Sequence, residues 1–353
     1  MNSKERIGLA LQHKEADRIA ITDSPWGTTV ERWHKEGLPE GVGPAEYFGF
    51  ETAASGANLS LRVPGRTVEE TDTYTIAIGG DGQTIKNWKH ATSTPEYIDF
   101  MVKTRADWEE YKHLLEWESS RIDVEAVKKA AAEAEAKGQW FSCGGAFGYD
   151  RLQALIGSER LLMAMAEDPD WVQDMFDTVA GLLCASIEEL VGLGIKFDGC
   201  FVYDDMGYRN ATMFSPAMFQ RFEFHNHKQV YGCAWAHGLP CILHSCGNVN
   251  AFVPGLIEAG LACLQPLEVK AQMNLVQLKR DYGEKLAFMG GIDVRKMALA
   301  DPAIIEEEIA TKITAAKVGG GYIYHSDHSV PDNISFPQFV HVIELVKKYG
   351  SYA

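Results

Sequence analysis

Long apolar runs are missing from this chain. No stretch of about 18 consecutive apolar residues occurs, so no segment reads as a membrane span and a membrane is not expected as a partner. The opening MNSKERIGLALQHKEADR returns to charge after a short apolar stretch, too short for the core of a secretory signal. Positive charge is scarce as well. Against 49 Asp and Glu stand 33 Lys and Arg, a formal net charge of −16. Such a surface repels phosphates, which argues against nucleic acid or an anionic membrane as the main partner. Cysteine is sparse and odd in number: Cys143, Cys184, Cys200, Cys233, Cys241, Cys246 and Cys263 lie scattered in apolar contexts. In a chain this long the pattern excludes a disulfide scaffold and reads as reduced thiols in the cytoplasm. Repeats and low-complexity linkers are absent too. So is a glycine-rich dinucleotide loop: the first strand-like segment runs into Ser24-Pro25-Trp26-Gly27, which disfavours a doubly wound nucleotide-binding sheet.

What is present is an alternation. Short apolar segments closed by polar or turn residues read as buried parallel strands at 18–23, 139–144, 196–203, 240–245, 262–266, 285–289 and 321–326. Helical patterns separate them at 158–167, 170–193, 216–237, 251–259, 275–282, 302–318 and 336–349. Residues 67–89 break this rhythm by alternating around Gly79-Gly80-Asp81-Gly82, a hairpin signature that reads as an insertion. The charge-laced segment 95–137, ending in a helix from Val124, reads as a solvated face. These patterns predict an α/β fold: one (β/α)8 TIM-type barrel spanning 1–353, with an N-terminal helical and hairpin elaboration hiding the eighth strand. In such a barrel, chemistry belongs at the C-terminal strand ends.

Three strand ends carry the polar groups. In ILHSCG, His244 and Cys246 are two apart and share a face, a borderline-soft pair suited to Zn²⁺. The competing reading is a core histidine beside a buried thiol. In GYIYHSDHSVP, His325 and Asp327 share one face, and Tyr324, Ser326 and His328 the other. Asp327 would complete a metal site or fix a histidine tautomer; the alternative is a set of hydrogen bonds closing the barrel. In FDGCFVYDDMG, Phe201, Tyr203 and Asp205 share a face and Asp204 takes the other. Two carboxylates with a tyrosine suit proton handling or substrate orientation, and helix capping is the alternative. Glu268 is a reserve metal ligand, as is His325, while Gln265 and Gly290-Gly291-Ile292-Asp293 mark further strand ends. His225 and His227, on an amphipathic helix among aromatics, read as structural.

The blocks FDGCFVYDDMGYRNATMFSPAMF (197–219), ILHSCGNV (242–249), CLQPLEVKAQM (263–273), LAFMGGIDVR (286–295) and GGGYIYHSDHSVP (319–331) resemble the uroporphyrinogen decarboxylase superfamily over nearly the whole chain. The resemblance implies a barrel with a deep pocket suited to a tetrapyrrole or corrinoid. It also implies a choice between two chemistries. Decarboxylases of this superfamily carry an arginine-rich N-terminal loop, whereas Thr22–Trp33 here offers Asp23 and the single cation Arg32. The corrinoid-dependent methyltransferase branch uses a His-x-Cys zinc motif, matched by His244 and Cys246, plus a later ligand whose place falls on Asp327. In thiol-directed members that ligand is cysteine.

The expectation is therefore methyl transfer from a small methylated substrate, such as a methoxylated aromatic, to the cobalt of a corrinoid (cobalamin) supplied by a partner corrinoid protein. Zinc held by His244, Cys246 and Asp327 would act as Lewis acid. Asp205 and Tyr203 would orient substrate or supply a proton, with His328 as a further candidate, and Trp26, Phe147, Phe201 and Asp204 would line the substrate site. Transfer from methyl-corrinoid to a thiol or folate, a uroporphyrinogen-type decarboxylase and a non-catalytic tetrapyrrole-binding protein are the alternatives. A homo-oligomer is compatible with the sequence.

Overall fold

A computed structural model describes residues 1–90 and 94–352. Eight short strands run parallel: β1 (Ala20–Ile21), β2 (Thr52–Ala54), β3 (Trp140–Ala146), β4 (Gly199–Tyr203), β5 (Cys241–His244), β6 (Cys263–Gln265), β7 (Ala287–Met289) and β8 (Tyr322–Tyr324). They pair in the order β1-β8-β7-β6-β5-β4-β3-β2. The ring closes between β1 and β2, where the Glu51 amide donates to the Ile21 carbonyl at 3.0 Å and the Thr22 and Thr52 hydroxyls meet at 2.7 Å. The expected (β/α)8 barrel is the fold. Its eighth strand is β2, whose Thr-Ala-Ala sequence is too short and too poor in β-branched residues to stand out.

Inward-facing residues obey the two-residue period of strands. Ala20, Trp140, Ile242, Cys263, Ala287, Met289 and Ile323 form the inner core with Phe201 packed against it. Ile7 and Ala10 of the helix Ser3–Leu11 join them and plug the N-terminal end of the barrel. Beneath, the buried Glu51 carboxylate accepts from the Ile21 amide at 2.6 Å and from Arg18 at 3.0 Å, and also pairs with Arg6. One period further along the inner face come Tyr203, His244 and Gln265, paired across β4, β5 and β6. The floor is therefore apolar and the open end polar.

The predicted hairpin is larger than expected. Strands Arg66–Glu70, Tyr74–Ile78, Thr84–Trp88 and Glu96–Asp99 make a four-stranded antiparallel meander. The turn at Gly79–Gly82 is where the alternation put it. The last strand lies in the segment read as a solvated face, because its exposed Glu-Tyr-Ile-Asp has no apolar stripe. Asp81 in the turn forms a buried bidentate pair with Arg151, on the helix Gly148–Ile156, so the insertion is tied to the barrel wall. The helix expected over 216–237 runs Pro216–Ala236 with a π-turn at Phe219–Glu223.

Candidate active site

The C-terminal end of the barrel opens into a cavity of about 630 Å³, within the range of small-molecule sites. Its lining includes Asp205, His244 and Cys246, together with Phe201, Tyr203 and Gln265. His244 Nε2 lies 3.3 Å from Cys246 Sγ and 3.5 Å from Asp205 Oδ1. One donor atom from each of the three falls within 4.8 Å of the others. Two glycines bring these loops together: a Cβ on Gly207 or Gly247 would collide with the backbone of the other's loop, and Gly247 has φ +79°. The Cys246 amide also donates to Asp205 Oδ1 at 2.7 Å.

A second layer orients the first. His244 Nδ1 faces Gln265 Oε1, its register partner on β6. An amide oxygen accepts, so Nδ1 carries the hydrogen and the neutral ring turns a bare Nε2 toward Cys246 and Asp205. Glu268 accepts from the Gly247 amide at 2.9 Å and braces the Cys246 loop from outside the cavity. Burial, followed by the charges of Asp205 and Glu268, pushes the Cys246 thiol well above its ordinary value. The charge of Lys270 opposes this without cancelling it, so the free thiol stays protonated.

The opposite wall comes from the ends of β1 and β8. Asp23 is buried and accepts from the Ser326 hydroxyl at 2.6 Å and the Tyr324 hydroxyl at 3.2 Å. His325 and His328 both line the cavity. His328 packs edge-on against Trp26, with ring centroids 5.6 Å apart. Neither Lys nor Arg appears among the described residues lining the cavity.

Several expected positions differ from these. Asp327 is buried and both its oxygens are spent, on the Val294 amide at 2.9 Å and the Val269 amide at 2.8 Å, so it fixes two loops and does not join His244 and Cys246. Burial pushes its carboxyl up to about 6, against those two amides. The strand rule that paired it with His325 fails because β8 ends at Tyr324. Asp205 takes the third place in the cluster. Asp204 is wholly buried behind the wall, bonded to His227 Nε2 at 2.9 Å and to the Asp150 amide at 2.9 Å, the latter in the first turn of Gly148–Ile156. Capping describes it better than substrate binding. Phe147 is fully buried against the His227 ring at 4.8 Å, and Trp26 lies outside the lining residues. Phe201 and Tyr203 do line the cavity, with Tyr203 42% exposed and its ring 5.3 Å from that of His244. Among residues the sequence left without a role, Asp150 stands out. Burial, then the charge of Asp205, pushes its carboxyl up to about 6.

Residues 88–349 match the family described as uroporphyrinogen decarboxylase (URO-D). The chain belongs to that family. No curated protein matches it. Among solved structures, a methyltransferase from Methanosarcina mazei is similar over 100% of both chains, with a TM-score of 0.70 at 15% identity, which shows a shared fold. A putative vitamin-B12 independent methionine synthase from Listeria monocytogenes aligns over 95% of this chain and 98% of its own. Its TM-score of 0.41 at 10% identity carries no argument. The segment matching the URO-D family holds β3 to β8, and with them the His244 cluster, while Asp23 and Ser24 precede it. Among the described residues of this URO-D member, no helix is long and apolar enough to cross a membrane.

Proposed function

We propose that this URO-D family member is a methyltransferase, taking a methyl group from a small uncharged methyl ether and delivering it to the cobalt of a corrinoid carried by a separate protein. The observation that carries this reading is the Asp205–His244–Cys246 cluster with its Gln265 support, in a cavity with no Lys or Arg among its described lining residues. The donor set fits zinc. Bonds of about 2.0–2.3 Å in a tetrahedral site leave ligand edges of roughly 3.3–3.6 Å. The distances of 3.3 and 3.5 Å from His244 Nε2 agree with such edges. When bound, zinc would supply Lewis acidity to the oxygen that leaves as the methyl group departs.

The chain's own residues do the rest. Gln265 holds the hydrogen of His244 on Nδ1 and keeps Nε2 free to ligate, as outer-shell partners of metal-bound histidines do. Asp205 Oδ1 holds the Cys246 amide and so sets the position of the sulfur. Phe201 and Tyr203, with ring centroids 5.1 Å apart, offer an aromatic wall beside His244 for a planar substrate. The corrinoid supplies the nucleophile, so the protein has to align donor and acceptor.

The Methanosarcina mazei protein of the same architecture is itself named a methyltransferase, which supports the reaction class. A uroporphyrinogen decarboxylase would need several cations for its substrate's carboxylates, and the described lining residues include no Lys or Arg. A folate acceptor, with its glutamate, meets the same obstacle. A thiol acceptor favours a softer third ligand than Asp205. The test is metal analysis of wild type beside His244→Ala, Cys246→Ala and Asp205→Ala, with a cob(I)alamin methylation assay over methoxylated aromatics. We expect about one zinc per chain in wild type, loss in the three variants, and methylation by wild type alone. Wild type without zinc would refute the metal site, and a silent panel would refute the methyl-ether class.

A further inference from the structure

On the cavity wall opposite the His244 cluster, hydrogen-bond direction is fixed by the backbone. His325 Nδ1 lies 2.7 Å from the Ser326 carbonyl oxygen. A carbonyl cannot donate, so Nδ1 carries the hydrogen and Nε2 of the neutral ring is an acceptor. That Nε2 is 3.3 Å from Ser24 Oγ. The Ser24 hydroxyl therefore spends its one hydrogen on His325, and the lone pairs of Oγ remain for the cavity it lines. His328 follows the same logic: Nδ1 is 3.3 Å from the Ser329 carbonyl, leaving Nε2 as an acceptor. Asp23, next along the wall, accepts as well.

The wall is also held in place before any ligand arrives. The Val330 amide donates to the Ser24 carbonyl at 3.1 Å, and the Trp26 amide to the Val330 carbonyl at 3.1 Å, so residues 24–26 are tied to the segment after β8. His325 is 3% exposed and cannot rearrange freely, whereas Ser24 is exposed. Strands β8 and β1 stand across the ring from β4 and β5. A substrate spanning the cavity thus meets the His244 cluster at one end and a row of acceptors at the other.

We propose that Ser24, set by His325, and His328 form a hydrogen-bond-accepting subsite that selects methyl ethers carrying a free hydroxyl group on the ring. This rests on the methyl-ether reading and adds a substrate class to it. A ring hydroxyl donates to this wall. A second methoxy group in the same place only accepts, and sets acceptor against acceptor with no hydrogen between them. A ring carboxylate would face acceptors with no cation to offset its charge.

Calorimetric titration of the zinc-loaded full chain with 4-methoxyphenol and 1,4-dimethoxybenzene, whose two oxygens lie at opposite ends of the ring, tests this. Wild type should bind the phenol about tenfold more tightly, the scale of one hydrogen bond lost beside an unpaired acceptor. In Ser24→Val and His328→Leu the preference should shrink, to under twofold in Ser24→Val, with diether affinity nearly unchanged. Ser24 is exposed, so its replacement leaves the fold intact. The preference should persist after zinc is stripped, which separates this wall from phenol binding at the metal. Equal affinities in wild type, or a preference untouched by both variants or lost with the zinc, would overturn the subsite alone. Failure of both compounds to bind would overturn the methyl-ether reading with it.

Discussion

Replacing His227 with leucine removes the positive group that lies between two buried carboxylates. His227 Nε2 sits 2.9 Å from Asp204 Oδ2 and 3.3 Å from Glu223 Oε2, and all three side chains have no exposed surface. Burial opposes the charge on His227, but hydrogen bonds and Coulomb attraction from Asp204 and Glu223 outweigh it and push its pKa up to about 9. Breaking such a buried pair from one side costs about 3–5 kcal/mol. At about 2.1 cal/mol/K of unfolding entropy per residue, a chain of 353 residues loses roughly 4–7 °C in Tm. The pH dependence carries a second signature. The folded value lies above the ordinary 6.5, so the stabilisation is complete below pH 6.5 and is lost as pH rises through about 9. Its size over that window is on the order of 3 kcal/mol. Thermal unfolding followed by circular dichroism between pH 6 and 9.5 should therefore show wild-type Tm falling with pH and a flatter profile in His227→Leu. Equal slopes, or a Tm loss under about 1 °C at pH 6.5, would refute a charged His227.

Two other perturbations separate site from scaffold. Gln265→Leu strips His244 Nδ1 of its partner and should weaken zinc affinity about 10–100-fold in competition with a chromophoric chelator; unchanged affinity would mean that the amide does not set the tautomer. Phe147→Ala opens a cavity in a fully buried position and should cost about 3–5 kcal/mol in urea unfolding, while KM for a methyl ether changes less than twofold. A large KM effect would return Phe147 to the substrate site.

The fold was largely legible because barrel strands are short, apolar and sharply closed. Seven of the segments marked by that pattern overlap β1 and β3 to β8. The strand β2 escaped it, since Thr52–Ala54 is three residues long with Thr52 its one β-branched side chain. Within the site, His244 and Cys246 were legible for a local reason: two residues at a strand end share a face whatever the rest of the chain does. Asp205 is visible after its own strand as well, although the family resemblance points to Asp327 for the third place in the cluster.

Choosing between those two aspartates required the tertiary structure. Both follow a barrel strand, and local spacing treats them alike. Only the fold shows that the Asp327 oxygens are taken by the Val269 and Val294 amides, while Asp205 lies 3.5 Å from His244. Asp204 and Phe147 are separated from the cavity by the same kind of distant contact, with His227, more than twenty residues later in the chain. Sequence by itself determined which residues alternate toward the barrel axis and that the chain is acidic, because both are sums over neighbours along the chain. Which polar groups face one another, and which way each hydrogen bond points at Gln265 and Ser24, depended on partners that only closure of the ring brings together.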